Sequence, residues 1–167
     1  MEIWDLYNQD REIVGLDHVR GSEIPQGYYH LVVHVWIKNS KDEYLISQRS
    51  VNRPKFSLKW ECVGGSAIKG ENSISAAIRE AKEEVGIALS PEGGKLIHSV
   101  TGRVVNGIKF SDILDVWLFG YDGDIDLKQA TTYEVMQTFW MNKSQIKELF
   151  DEGKLVPTLK YFFKIIK

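Results

Sequence analysis

Three glutamates, Glu80, Glu83 and Glu84, lie close together in a stretch whose periodicity predicts a helix. At about 100° per residue they fall within an arc of roughly 100°, so their carboxylates share one helix face. Like charges at these spacings destabilise an isolated helix, so a positive group is expected beside them. A hard divalent cation suits oxygen ligands of this kind. The spacing therefore predicts a metal site, and the alternative is a solvated acidic face.

The other side of the predicted helix is apolar and is expected to pack on the core. It is formed by Ile74, Ala77, Ile78, Ala81 and Val85. Asn72 or Ser73 is the expected N-terminal cap. Gly86 is the expected end of the helix.

The glutamates belong to a longer pattern, from Gly65 to Ile87, which resembles the Nudix box G-x5-E-x7-R-E-U-x-E-E-x-G-U, with U a bulky aliphatic residue. Every fixed letter matches, and only Ala81, at the first U position, is smaller than usual. Seven fixed letters at roughly 6% each would coincide by chance on the order of 10⁻⁸ per window. The resemblance implies an α/β fold, the Nudix fold, in which a mixed central sheet lies in an α/β/α sandwich.

Nudix hydrolases typically cleave a nucleoside diphosphate linked to another group, and the resemblance implies the same reaction here. It further implies that Glu80, Glu83 and Glu84 bind Mg²⁺, or alternatively Mn²⁺, with one of them or a downstream carboxylate as the general base. Arg79 resembles the arginine that holds these glutamates through charge-assisted hydrogen bonds. Glu71 resembles the acid that organises the loop of the box. Arg79 is accordingly grouped with the catalytic residues.

A further carboxylate from outside the box is usual in the family. Glu134 is the candidate, because it lies just before a predicted strand at 139–141. Asp112 and Asp115 are weaker alternatives. All three stay open as surface or structural acids at this point.

Two neighbouring segments are expected to complete the site. Glycines allow backbone groups to approach a metal or a phosphate closely, so Gly64 is a candidate metal ligand through its carbonyl and Gly65 a candidate substrate contact. Arg49 and Arg53, in the predicted loop 49–59, are candidates for binding substrate phosphates. A solvated basic loop is the alternative for these arginines.

Two other functions remain open. Residues 29–35 and 4–7 resemble the Nudix branch that includes isopentenyl-diphosphate isomerase-like proteins, in which a histidine near the position of His30 binds metal. That isomerase also needs a cysteine, and Cys62 lies two positions early, while the box is intact here and degenerate there. A ligand-binding Nudix domain without catalysis is the third hypothesis, and the intact box argues against it.

Length and composition limit the expected number of domains, the partners and the location. A chain of 167 residues is expected to form a single domain, 1–167. A net charge of −2 argues against a nucleic-acid polymer as partner, so a small-molecule diphosphate is the expected substrate. Cys62 is the only cysteine, and no apolar run reaches the length of a membrane span, so the cytoplasm is the expected location. A homodimer is the assembly that the resemblance suggests.

The remaining elements predict strands alternating with a few helices, which fits a mixed sheet between helices. Asn106-Gly107 is the preferred pair for a type I′ hairpin turn. The predicted elements are an N-terminal hairpin or arm at 1–29, strands at 30–37 and 44–48 joined as a hairpin, a long hairpin at 95–121, a helix at 144–152 and a last helix from Pro157.

Overall fold

The computed structural model describes residues 1–167 and contains a mixed seven-stranded sheet. The strands are β1 Ile3–Tyr7, β2 Ile13–Val19, β3 His30–Lys38, β4 Tyr44–Arg49, β5 Trp60–Glu61, β6 Val63–Ser66, β7 Gly94–Thr101, β8 Val104–Val105, β9 Ile108–Lys109, β10 Asp112–Gly120 and β11 Val135–Met141. The helices are α1 Ser73–Val85, α2 Lys143–Asp151 and α3 Phe162–Ile165, with 3₁₀ turns at Pro91–Gly93, Leu127–Gln129 and Pro157–Leu159. None of the helices is long and apolar enough to cross a membrane.

The main sheet has the order β11-β4-β3-β10-β7, in which only β3 and β10 run parallel. The hairpin predicted for β3 and β4 forms only at its turn, where Lys38 pairs with Tyr44. Beyond that pair the two strands separate, because β5 adds to β4 and β6 adds to β3. This insertion places Gly64 opposite His34 and Gly65 opposite Val33.

The two faces of the sheet carry separate cores. Alternate residues of a strand point to opposite faces, and in β3 Val33 and Val35 join the core under α1, whereas Trp36 joins the core under α2 and α3. The helix α1 buries three alanines against the sheet, Ala76, Ala77 and Ala81. The small residue at the first U position of the box therefore lies in a tightly packed layer. The predicted α/β/α sandwich is confirmed.

The long hairpin and the last helix are both present, but each differs in detail from the prediction. In the long hairpin, Asn106 and Gly107 both have positive φ, 51° and 80°, as a type I′ turn requires. The hairpin tip, β8 with β9, pairs as a separate small sheet. The last helix is not continuous and consists of a 3₁₀ turn followed by the short helix α3. Leu159 and Phe162 are both buried, and their three-residue spacing suits a 3₁₀ turn.

Candidate active site

The position of α1 is set by its two ends. The Asn72 side chain accepts a hydrogen bond from the Ser75 amide at 3.0 Å, and this bond caps the helix. At the other end, Gly86 adopts a left-handed conformation with φ 73°, and its amide donates to the last helical carbonyls. A Cβ at Gly86 would also lie 2.7 Å from the Cβ of Gln129. Both ends of the helix are as predicted from the sequence.

Arg79 connects the acidic residues of the box to one another. Its Nε and Nη2 donate to the two carboxylate oxygens of Glu71 at 2.8 and 3.0 Å. Its Nη1 donates to Glu80 at 2.9 Å and to Glu83 at 3.0 Å, and Nη2 also donates to the Ser66 carbonyl at 2.9 Å. All five N–H groups of the guanidinium are thereby used. Burial lowers the pKa of Arg79, but the hydrogen bonds and charges of Glu71 and Glu80 outweigh it and raise the pKa above its usual value.

The two glycines of β6 are required by close packing. A Cβ on Gly65 would lie 2.2 Å from Oε1 of Glu80, and one on Gly64 would lie 2.5 Å from the carbonyl oxygen of Val33. Glycine thus lets the Glu80 carboxylate press against the backbone of β6. The proposed contacts of Gly65 with substrate and of the Gly64 carbonyl with metal stay predictions.

Glu84 does not lie on a solvated acidic face. Its side chain is buried, at 4% exposure, on the part of α1 that faces the sheet. One oxygen accepts a hydrogen bond from the Gly64 amide at 3.3 Å. Burial and the nearby charges of Glu61 and Glu80 raise the pKa of Glu84 well above its usual value. Of the three box glutamates, this one is the most strongly desolvated.

Glu61 is a member of the cluster that the sequence reasoning missed. It lies in β5, and its carboxylate accepts a hydrogen bond from Arg49 at 2.6 Å. Burial raises the pKa of Glu61, and the negative charge of Glu134 acts in the same direction. The available signal was a charged residue between Trp60 and Cys62 in an otherwise apolar strand that leads directly into the glycine pair.

The negative charge of Glu134 acts on the box, where it raises the pKa of both Glu80 and Glu84. Its role as a metal ligand stays a prediction. The weaker candidates Asp112 and Asp115 are each bound by an arginine of their own, Arg103 and Arg11 respectively, at 2.8 Å. An arginine also binds Glu134, so what favours Glu134 among the three is the effect of its charge on Glu80 and Glu84.

The two arginines of the loop 49–59 lie at the same cluster, each paired with an acid. Arg49 binds Glu61 and also donates to the Lys55 carbonyl at 3.0 Å. Arg53 binds Glu134 at 2.7 Å, while its Nε is buried without a partner. The loop is thus not simply solvated, and binding of phosphate by either arginine stays a prediction.

The cluster as a whole contains more carboxylates than cationic groups. Three arginines face six carboxylates, those of Glu61, Glu71, Glu80, Glu83, Glu84 and Glu134. Burial is the main cause that raises the pKa of Glu80 to about 7. As the side chains now stand, no three of them surround one point closely enough to bind an ion. An all-oxygen donor set with more carboxylates than cationic groups nevertheless fits a hard divalent cation.

The histidines and the cysteine serve the core. His30 stacks on Trp4 with ring centroids 4.1 Å apart, and Nδ1 of His34 is 2.7 Å from the Tyr161 hydroxyl. Burial lowers the pKa of His30 to about 4 and that of His34 to about 3. Cys62 is buried, and burial raises the pKa of its thiol. The isomerase hypothesis requires a reactive thiol, and this side chain does not offer one.

The buried His34 makes acid stability a testable property. Its pKa is about 3 in the folded chain and about 6.5 when unfolded, so below pH 6.5 the unfolded state binds the extra proton and stability falls as the pH is lowered. Between pH 6.5 and 5 this contribution is about 2 kcal/mol. We expect His34→Phe to lack that loss, measured as the difference in urea unfolding free energy between variant and wild type. Acidic groups contribute equally to both proteins, so their contribution cancels in the difference. His98→Phe is the control. A pH-independent difference for His34→Phe would contradict the prediction.

The mixed sheet, the two helical layers and the acidic helix α1 define a Nudix fold. Residues 28–162 match the NUDIX domain family model. An uncharacterized Nudix hydrolase from Listeria monocytogenes is 34% identical, over 98% of this chain and 91% of its own length, and one from Listeria innocua is 33% identical over the same shares. The chain belongs to the Nudix hydrolase family and is a hydrolase.

Solved structures agree on the fold. The protein DR0079 from Deinococcus radiodurans superposes with a TM-score of 0.78 at 20% identity, over 99% of this chain and all of that one. The MutT protein from Methanosarcina mazei Go1 has a TM-score of 0.63 at 25% identity, over 81% and 91%. A bifunctional NMN adenylyltransferase/ADP ribose pyrophosphatase from Francisella tularensis, in complex with AMP and a Mn ion, has a TM-score of 0.61 at 23% identity, over 83% and 41%.

Proposed function

We propose that this hydrolase cleaves a phosphoanhydride in a nucleoside diphosphate linked to another group, and that it depends on Mg²⁺, with Mn²⁺ as an alternative. The observation that carries the proposal is the cluster of carboxylates between α1, β5 and β6, of which Glu84 is buried, with Arg49 and Arg53 beside it. Nudix hydrolases generally use divalent metals, and small diphosphates are their usual substrates.

The residues of the cluster divide into two tasks. Glu80, Glu83, Glu84, Glu134 and the Gly64 carbonyl are the proposed metal ligands. A divalent cation held there would neutralise diphosphate oxygens and lower the pKa of water. One of the carboxylates accepts the proton of the attacking water. Arg79 does not reach the substrate in this scheme, and it fixes the carboxylates to which it donates.

Arg49 and Arg53 are proposed to exchange partners. In the structure each neutralises one acid, Glu61 and Glu134 respectively. With a cation bound at the carboxylates, the two guanidinium groups would become available for phosphate oxygens, which they would bind through paired hydrogen bonds. Glu61 thereby acts as the resting partner of Arg49 and as a neighbour that increases the negative charge around Glu84.

The test is a product assay on nucleotide sugars, dinucleotides and nucleoside triphosphates, with Mg²⁺, with Mn²⁺ and with EDTA. We expect at least one substrate to give nucleoside monophosphate together with the phosphorylated remainder, and EDTA to abolish turnover. Turnover that persists in EDTA would overturn the metal dependence. Tight binding of one compound without turnover of any would favour the ligand-binding alternative instead.

A further inference from the structure

A cavity lies on the opposite face of the sheet from α1. Its volume is about 390 Å³, and it is enclosed by β7, β10, the β8–β9 tip and the segment 157–164. Pockets for small organic molecules begin at roughly this size, about 300 Å³. The lining residues used below are His98, Val100, Arg103, Lys160, Tyr161 and Lys164.

This cavity is separate from the carboxylate cluster. Val100 pairs directly with Leu114, so their side chains share one face of the sheet. Leu114 belongs to the core under α2 and α3, whereas the helix α1 packs on the other face. None of the proposed metal ligands lines the cavity. The hydrolytic proposal therefore makes no use of it.

The cavity is positively charged. Arg103, Lys160 and Lys164 line it, and no aspartate or glutamate does. The nearby Asp112 lies outside the lining and accepts from Nε of Arg103 at 3.0 Å and from Nη2 at 2.8 Å. These bonds pair Asp112 with Arg103. Neither lysine has an acid in the lining, so the cavity favours an anion.

One donor in the cavity wall has no acceptor. Nη1 of Arg103 is buried and makes no hydrogen bond. A buried donor without a partner costs about 1–3 kcal/mol, so it marks a place where an acceptor stabilises the protein. A buried ring nitrogen without a partner, Nδ1 of His30, lies at the same end of the sheet, because His30 pairs with Asp112 across β3 and β10.

The other walls are aromatic and apolar. The ring of Tyr161 stacks with that of His98 at 6.0 Å and 18°. Val100, Leu114 and Pro157 add aliphatic surface. Such walls suit a flat or apolar body. The two lysines, together with the unpaired Nη1 of Arg103, suit a group with two negative charges, which is a phosphate monoester rather than a single carboxylate.

We propose that this cavity binds a small organic phosphate at a site separate from the site of hydrolysis. The phosphate accepts from Nη1 of Arg103 and lies near the ammonium groups of Lys160 and Lys164, and the organic body lies against Tyr161 and Val100. No bond is made or broken there. The proposal does not depend on which anhydride the enzyme cleaves.

The test is an NMR titration of the ¹⁵N-labelled full chain in EDTA, so that metal-dependent binding at the carboxylates is absent. The probes are adenosine 5′-monophosphate, adenosine and inorganic phosphate. We expect saturable shifts of the amides of Arg103, Asn106 and Tyr161 with the monophosphate, and at least fivefold weaker binding of the other two probes.

Paired variants decide the role of the cations. The double variant Lys160→Gln/Lys164→Gln is expected to weaken monophosphate binding at least fivefold, and the matched control Lys95→Gln/Lys128→Gln, at exposed lysines outside the cavity, to leave it unchanged. Both pairs lie at the surface, so folding is expected to survive, and the spectrum itself shows whether it does. Shifts confined to Gly64 and Arg53, equal binding of adenosine, or no effect of the double variant would each overturn the proposal.

Discussion

Glu84→Gln is expected to lower kcat/KM on the best substrate about a thousandfold, or about 4 kcal/mol, while leaving the metal-free protein at least as stable as wild type. Both effects follow from replacing the same carboxylate. The carboxylate is buried among other acids, and burial raises its pKa well above the usual value. A neutral amide keeps the shape and can still accept from the Gly64 amide, so it removes a destabilising charge. The same change removes a proposed metal ligand.

Steady-state kinetics and urea unfolding in EDTA measure the two effects separately. Their signs are expected to differ most above neutral pH, where the wild-type carboxylate is most ionised. Glu148→Gln, at an exposed position of α2, is the control and should change neither quantity. Mg²⁺ is expected to stabilise wild type more than Glu84→Gln. Full activity in Glu84→Gln would remove this residue from the proposed site.

Arg79→Lys is expected to lower kcat/KM about a hundredfold, or about 3 kcal/mol, even though the charge is kept. The guanidinium uses all five N–H groups on Glu71, Glu80, Glu83 and the Ser66 carbonyl. An ammonium has three donors and no planar fork, so at least one carboxylate loses its partner. Unlike Glu84→Gln, this change should also destabilise the protein, by about 1–3 kcal/mol.

Two comparisons test the reason given for Arg79. Arg20→Lys, at an exposed arginine that pairs with Glu2, is the matched control and should leave stability and activity near wild type. If Arg79 acts through the glutamates, Arg79→Lys should raise the concentration of Mg²⁺ needed for half-maximal rate. An unchanged metal requirement together with lower kcat would instead indicate direct contact between Arg79 and the substrate.

The sequence alone was sufficient for the helix at the centre of the site. Its caps, Asn72 and Gly86, and its apolar stripe are local properties, because capping and 3.6-residue periodicity depend on neighbours along the chain. The spacing of Glu80 and Glu83 from Arg79 is also local, and their hydrogen bonds follow from it. The family and its fold could therefore be predicted from one short segment.

Only the tertiary structure decided what surrounds that helix. Helical spacing placed Glu84 on one face with Glu80 and Glu83 and left a solvated acidic face open as the alternative, but the approach of α1 to β6 buries it. Glu61 joins the cluster because β5 and β6 insert between β3 and β4, a pairing between distant segments that no local pattern encodes. Arg53 and Glu134 meet because β11 pairs with β4, with Val135 opposite Arg49. Residue type and spacing determined the chemistry available, and long-range strand pairing determined which charged groups are desolvated together.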